Sequence, residues 1–346
     1  MKRFLTLSFT IVLAGTALVA CSSSDSGSSR TVTLVTHDSF AVAKATLSEF
    51  EREHDVEVKL LKSGDAASAL NQVILTEGEP LGDAMFGVDN TFLSRATDAD
   101  VFEPYEPADL GLVPTEYQLD PTHELTPIDF GDVCVNYDRA ALADRGVPAP
   151  TSLDDLTQPA YRGMLVVENA ASSSPGLAFL LATVAEYGDG WRDYWTRLRG
   201  NGVKVVDGWE QAYFTDFAGG GQGGSYPLVV SYASSPPAGV TEGSPAEAPT
   251  AAILDTCFRQ VEFAGVLRGA EHPKLARALV DWMLSARFQA EVPDQMYVYP
   301  VRKGVAVPES WARYAPVPAD PFEIAPERIA RNRSTWIDQW TDTVLR

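Results

Sequence analysis

The residues that could do chemistry in this chain do not gather into a catalytic pattern. Its four histidines, His37, His54, His123 and His272, are scattered, and none has the HExxH spacing of a helix-borne zinc site. No GxSxG turn presents a serine as nucleophile. The run Gly219–Gly224 lacks the Lys and Ser/Thr that a phosphate loop places at a helix start, so it reads as a flexible loop. No catalytic residue, metal or cofactor is expected, and an exported hydrolase with a triad assembled in space is the weakest alternative.

Polar and aromatic residues instead follow the ends of strand-like runs. His37-Asp38-Ser39-Phe40 follows the first such run, and Ser63-Gly64-Asp65-Ala66 follows the second. Asp65 reads two ways: as a helix N-cap, or as a carboxylate that accepts a hydrogen bond from a ligand amine. Ser174 and Pro175 open a helix as cap and first residue, and the free N–H groups there suit either capping alone or a hydroxyl or phosphate oxygen. Trp209 sits after Asp207-Gly208 at another strand-to-helix turn, where a large aromatic is either core or cleft wall. Tyr232-Ala233-Ser234-Ser235-Pro236 ends a strand in the same manner, and in Met296-Tyr297-Val298-Tyr299-Pro300 one tyrosine should line a cavity and one should pack. Aromatic faces attract delocalised cations by about 0.5–2 kcal/mol each. Aromatics, a carboxylate and helix-start donors together suit a flat cationic heterocycle carrying a hydroxyl or phosphate.

Elements that would position these residues alternate between two periodicities. Thr31–Thr36 and Val56–Leu60 read as strands, Phe40–His54 and Ala66–Thr76 as helices, followed by a strand at Asp83–Val88 and a helix at Thr91–Ala99. This βαβα succession predicts a mostly parallel, helix-covered sheet. A second region begins near Asp129, with strands at Val133–Tyr137, Met164–Glu168, Val203–Val206 and Leu228–Tyr232. Its helices are expected at Pro175–Tyr187, Trp191–Leu198 and Glu210–Phe217, with Ser152 capping a short one. Ser234–Pro249 is a surface connection, Phe258–Leu267 a long strand, and His272–Val292 and Pro326 onward are amphipathic helices. If the chain crosses between halves near Asp129 and returns near Phe258, the two halves form a hinged pair with a cleft between them.

The chain has 346 residues, 45% of them hydrophobic, and a formal charge of −20. That length allows two lobes with a sizeable core, and the acidic balance disfavours a nucleic-acid partner. The N-terminus has Lys2 and Arg3, then no charge from Phe4 to Ala20, then Leu18-Val19-Ala20-Cys21. A basic start, an apolar run and small residues before a cut site read as a signal peptide over residues 1–20. Leu-Val-Ala-Cys resembles a bacterial lipobox, with acylation of Cys21 and a polar tether over 21–30; the alternative is an ordinary signal ending near a cysteine. Cleavage there removes Lys2 and Arg3 and leaves the mature chain more acidic still. The remaining cysteines, Cys134 and Cys257, lie in strand-like runs and are either a disulfide formed after export or two small buried hydrophobes.

An ordered set of short motifs then points to a family. Thr36-His37-Asp38-Ser39-Phe40, Gly87-Val88-Asp89-Asn90, Ile128-Asp129-Phe130-Gly131, Ser173-Ser174-Pro175-Gly176-Leu177, Gly208-Trp209-Glu210-Gln211-Ala212-Tyr213 and Leu228 to Pro236 occur in sequence. Gln260-Val261-Glu262, Tyr299-Pro300-Val301 and Trp336 to Trp340 continue the match. From Thr31 to the C-terminus the chain resembles the thiamine-binding subunits of bacterial ABC transporters, which are periplasmic-type solute-binding proteins.

The resemblance implies an α/β, two-lobed periplasmic-binding-protein-like fold of type II. One lobe is expected from 31–128 with about 258–312, the other from 129–257 with about 313–346. It implies thiamine or a thiamine phosphate in the cleft, touched by Asp65, Ala66, Ser173, Ser174, Trp209, Tyr232, Ala233, Ser234 and Ser235. The family's aromatic pair falls on His37 and Tyr297, where relatives carry Tyr and Trp. Iron-binding members of this fold use adjacent tyrosines after the strand that ends here at Tyr232, and Ala-Ser-Ser-Pro in their place argues against ferric ion. The expected partners are a permease with its ATPase and, through Cys21, the extracytoplasmic face of a membrane, with the protein itself a monomer. A protein of the same fold for an anion, polyamine or metal chelate is the alternative.

Overall fold

Two long strands, each running through both halves of the molecule, organise the chain. A computed structural model describes residues 30–240 and 247–346. The expected signal peptide, the lipidation at Cys21 and nearly all of the tether lie outside the described residues. Strands β1 (Arg30–Thr36), β2 (Val56–Lys62) and β3 (Ala84–Asp89) alternate with helices α1 (Lys44–His54), α2 (Ala66–Leu75) and α3 (Leu93–Asp98). The short β4 (Phe102–Glu103) and the long β5 (Thr126–Asp138) follow. Next come α4 (Arg139–Asp144), β6 (Leu165–Glu168), α5 (Ser174–Tyr187), α6 (Trp191–Gly200), β7 (Lys204–Val206) and β8 (Leu228–Tyr232). The long β9 (Thr250–Leu267) precedes α7 (Pro273–Met283), α8 (Ala286–Met296), β10 (Tyr299–Pro300), α9 (Glu309–Tyr314) and α10 (Pro326–Val344).

The strand order is β2-β1-β3-β9-β5-β8-β6-β7, with β10 on β5 and β4 on β9. Parallel pairs occupy the two ends, β1 with β2 and β3, and β6 with β7 and β8. The central β5 and β9 are antiparallel. The first half of β5 faces the last part of β9, from Thr126↔Ala264 to Phe130↔Val261. Its second half faces the first part of β9, from Val135↔Ile253 to Asp138↔Thr250. Each long strand therefore serves one lobe and then the other, as in a two-lobed type II binding protein. The inner strands β3 and β6 are continuous buried runs, as strands covered on both faces require, while the edge strands β2 and β7 are partly exposed.

Several elements differ from the expected ones for physical reasons. β5 begins at Thr126, not Val133, because Asp129, Gly131 and Asp132 pair within a central ladder despite reading as loop. β9 likewise begins at Thr250 rather than Phe258. The helical stretch at His272–Val292 is two helices, broken at Leu284-Ser285, where the Ser285 hydroxyl accepts from Phe288 N at 3.2 Å. The helix expected at Glu210–Phe217 is a π-helical turn over Gln211–Asp216, and the glycine run begins in a tight turn at Ala218–Gly220. The first helix starts at Lys44, not Phe40.

Behind the sheet, Phe130 stacks between Tyr117 and Tyr299, with centroids 4.7 and 5.1 Å away. Arg259 lies over the same ring and pairs with Asp132 at 2.6 Å. Helix α10 packs on both α6 and α3: Trp340 meets Trp195 edge-on at 5.5 Å, and Arg333 covers Phe92. Cys134 and Cys257 form a disulfide between β5 and β9, fully buried beside Ala233.

Candidate functional site

A cavity of about 460 Å³ opens where the turns that follow β1, β2, β7 and β8 converge, a volume within the usual range for small-molecule sites. Asp65 stands at the meeting of its walls. It is the N-cap of α2, and its Oδ1 accepts from Ala66 N at 2.7 Å. The same oxygen accepts from Ser174 N at 3.3 Å, and Oδ2 accepts from Trp209 N at 3.1 Å. One carboxylate thus joins the start of α2 to the start of α5 and to the turn after β7. Burial pushes Asp65 upward from its ordinary range, against the pull of those N–H donors and of His37. The two readings of Asp65 meet here: it caps a helix and lines the cavity, with its oxygens already taken by backbone.

Trp209 is held at both ends of its residue. Besides the backbone bond to Asp65, its indole Nε1 donates to Ser231 Oγ at 2.9 Å, and Ser231 Oγ lies 2.9 Å from Ser235 Oγ. The ring stacks on Tyr213 at 5.0 Å and meets Phe214 and Tyr232 edge-on. Tyr232 is fixed in turn, its hydroxyl donating to Gln260 Oε1 at 3.2 Å while Gln260 Nε2 donates to Ser174 Oγ at 3.1 Å. This wall is a preset aromatic surface, since the Trp209 indole N–H and the Tyr232 hydroxyl each have a partner.

The opposite wall is built on β1 and β9. His37 packs on Phe86 at 5.4 Å and directs Nε2 to Glu262 Oε1 at 3.5 Å. A side chain at Gly87 would come within 2.4 Å of the imidazole, so glycine there is what lets the ring sit against the strand. Burial lowers the His37 pKa, but Glu262 outweighs it and the net direction is upward.

Among the residues expected to touch a ligand, His37, Asp65, Ala66, Ser174, Trp209, Tyr232, Ser235 and Tyr297 line this cavity. Ser173, Ala233 and Ser234 stand behind the wall. Ser173 is the fully buried N-cap of α5, one residue before the expected cap at Ser174. Ala233 packs against the disulfide. Ser234 donates to the backbone carbonyl of Tyr297 at 2.6 Å. That bond steadies a tyrosine held at φ 55°, a region costly for a residue with a Cβ and therefore maintained by its surroundings. Tyr299 packs on Phe130, so Tyr297 lines and Tyr299 packs.

Comparison with known proteins fits this geometry. A family model for bacterial extracellular solute-binding proteins matches residues 83–322. The chain belongs to this family. It is 30% identical over 320 residues to the thiamine-binding periplasmic protein of Salmonella typhimurium, covering 91% of this chain and 94% of that one. The corresponding Escherichia coli protein is 29% identical over 320 residues, with the same coverage. A solved structure titled periplasmic thiamin binding protein superposes with a TM-score of 0.80 at 28% identity, covering 91% of this chain and 96% of that one.

Several lining residues of this solute-binding protein escaped the sequence reading. Glu262 is the clearest, a buried acid within a hydrophobic β9 whose neighbours give it no catalytic or turn signature. Its only legible trace was the Gln260-Val261-Glu262 motif, which carried family resemblance without a role. Ser172, Met296 and Val298 also line the cavity. Ser172 Oγ donates to Asp207 O at 2.7 Å, tying the loop before α5 to the end of β7. Among the described residues, no group of His, Cys, Asp and Glu is arranged to hold a metal ion.

Proposed function

We propose that this solute-binding protein captures thiamine or a thiamine phosphate between its lobes and delivers it to the permease of an ABC importer. The observation that carries the reading is the cavity itself, where a fixed tryptophan–tyrosine wall faces a wall of carboxylate and imidazole. Thiamine has two flat rings joined by a methylene, one of them a cationic thiazolium, and a hydroxyl that can be phosphorylated. Its rings match the aromatic wall, its charge matches the acids, and its hydroxyl or phosphate matches the polar start of α5. The similarity to proteins named as thiamine-binding supports the same solute.

Within this reading, His37, Asp65, Ala66, Ser174, Trp209, Tyr232, Ser235 and Tyr297 contact the ligand, and Ser173, Ala233 and Ser234 support them from behind. Opening and closing hinge on β5 and β9, dividing 31–128 with about 258–312 from 129–257 with about 313–346. Capture proceeds by closure over the ligand, which dries the aromatic and acidic contacts and presents a joined surface to the permease. The mature protein is a monomer held at the extracytoplasmic face of the membrane by acylated Cys21. Calorimetric titration with thiamine, its monophosphate and its diphosphate tests the solute, with at least one expected to bind in the micromolar range or tighter. Binding of none of the three, with tight binding of another solute, would overturn the assignment.

A further inference from the structure

The cavity holds one buried acid whose charge the backbone does not satisfy. On β9, Glu262 is the direct ladder partner of Asp89 on β3 and of Asp129 on β5. Paired residues on adjacent strands project to the same face, so three carboxyl groups stand in a row across three strands. Asp89 Oδ1 accepts from Thr91 N, Thr91 Oγ1 and Phe92 N at 2.7, 2.6 and 3.2 Å. Asp129 is fully buried, and neither of its oxygens has a donor. Burial and then the Glu262 charge push Asp129 well above the ordinary carboxylate range. Glu262 is the member of the row that lines the cavity. Its neighbour there is His37 Nε2, at 3.5 Å and without a hydrogen bond. Asp38, Asp207 and Glu210 also line the cavity but are exposed to water, and Asp65 is occupied by three backbone N–H groups.

We propose that Glu262 is the acceptor for the exocyclic amine of the ligand's aminopyrimidine ring, and that the acid row thereby orients the ligand. This rests on thiamine being the solute. A buried carboxylate that no backbone N–H satisfies gains from a ligand N–H, and that amine carries the only N–H groups in thiamine. The other donor, the hydroxyl, is the point of phosphorylation. A phosphate beside the buried acids would be repelled, so the hydroxyl end lies away from Glu262.

Oxythiamine, in which a carbonyl replaces the amine, is the probe. Wild-type protein should prefer thiamine to oxythiamine by about 30-fold or more, because a site built for a donor rejects an analogue without it. In Glu262→Gln, whose amide can both donate and accept, the preference should fall to within about threefold. Thiamine and its monophosphate should lose affinity in parallel in this variant, their phosphorylated end being remote. A wild-type preference near one overturns the assignment of Glu262, and so does a Glu262→Gln variant that keeps the wild-type preference. The wild-type ratio needs no variant, so a ratio near one still overturns the proposal even if Glu262→Gln fails to fold. Failure of the wild type to bind thiamine at all would instead remove the solute reading.

Discussion

The two walls of the cavity reach rigidity by opposite means. In the aromatic wall, Trp209 and Tyr232 are held by hydrogen bonds at their polar edges, through Ser231, Ser235 and Gln260, and Tyr213 stacks on Trp209. Beneath it, Cys134 sits opposite Ser231 in the ladder and is bonded to Cys257. The acidic wall of His37 and Glu262 has no such scaffold. Its side chains sit close together, with the buried Asp89 and Asp129 behind them, whose pKa values burial and Glu262 push upward. A flat ligand surface calls for shape held in advance, whereas a donor calls for an acceptor left unsatisfied until binding. The difference shows that a binding site can leave polarity incomplete on the side where the ligand will supply it.

Breaking the aromatic wall should have the largest effect. Trp209→Ala should weaken thiamine binding by about 2–4 kcal/mol, as loss of a central aromatic anchor does. Calorimetry checks this, and an affinity within a few-fold of wild type would mean that the tryptophan is packing rather than contact.

The next largest effect should come from Asp65, where the walls meet. Asp65→Asn turns one accepting oxygen into an N–H facing Trp209 N or Ser174 N, at a cost of about 1.5–3 kcal/mol for a charged hydrogen bond. Ligand affinity should fall accordingly, and small-angle scattering should show a larger radius of gyration in the absence of ligand. Unchanged scattering and affinity together would remove Asp65 as the link between walls.

The smallest effect lies behind the acidic wall and concerns pH. Burial, opposed by the Thr91 and Phe92 donors and reinforced by Glu262, pushes Asp89 up to about 7. The unfolded chain ionises this residue near pH 4. Between those values the folded state holds the extra proton, so stability contributed by protonated Asp89 is lost as pH rises through about 7. Asp89→Asn keeps an acceptor for Thr91 and cannot ionise. Its melting temperature relative to wild type should therefore rise by about 2–4 °C between pH 5 and pH 8. An equal difference at both pH values would show that Asp89 does not carry that proton.

Much of the fold was legible where local and tertiary preferences agree. Val32, Leu34 and Val35 of β1 and Leu177 to Leu181 of α5 are buried as their apolar runs demand. The early parts of β5 and β9 were not legible, because Asp129, Gly131, Asp132 and Asp255 break any strand pattern. They are strands because neighbours on both sides take their backbone groups. The site divides in the same way. Strand-end residues such as Asp65 and Trp209 announced themselves by turn chemistry and position. Ser173, Ala233 and Ser234 carry the same sequence character but face inward, since one residue along a turn reverses the direction of a side chain. Glu262 had no local signal because its meaning lies in Asp89 and Asp129, far away in sequence.

The sequence by itself determined the α/β succession, the residues at the strand ends, the family and the kind of solute those residues suit, since these follow from residue type and spacing. Tertiary structure alone decided which carboxylate is free. Asp65 and Glu262 are both acids beside a cleft, but backbone donors from two other segments saturate Asp65, while the ladder sets Glu262 between two buried carboxyl groups. Hydrogen-bond satisfaction depends on what folding brings within about 3 Å, and no linear pattern records that.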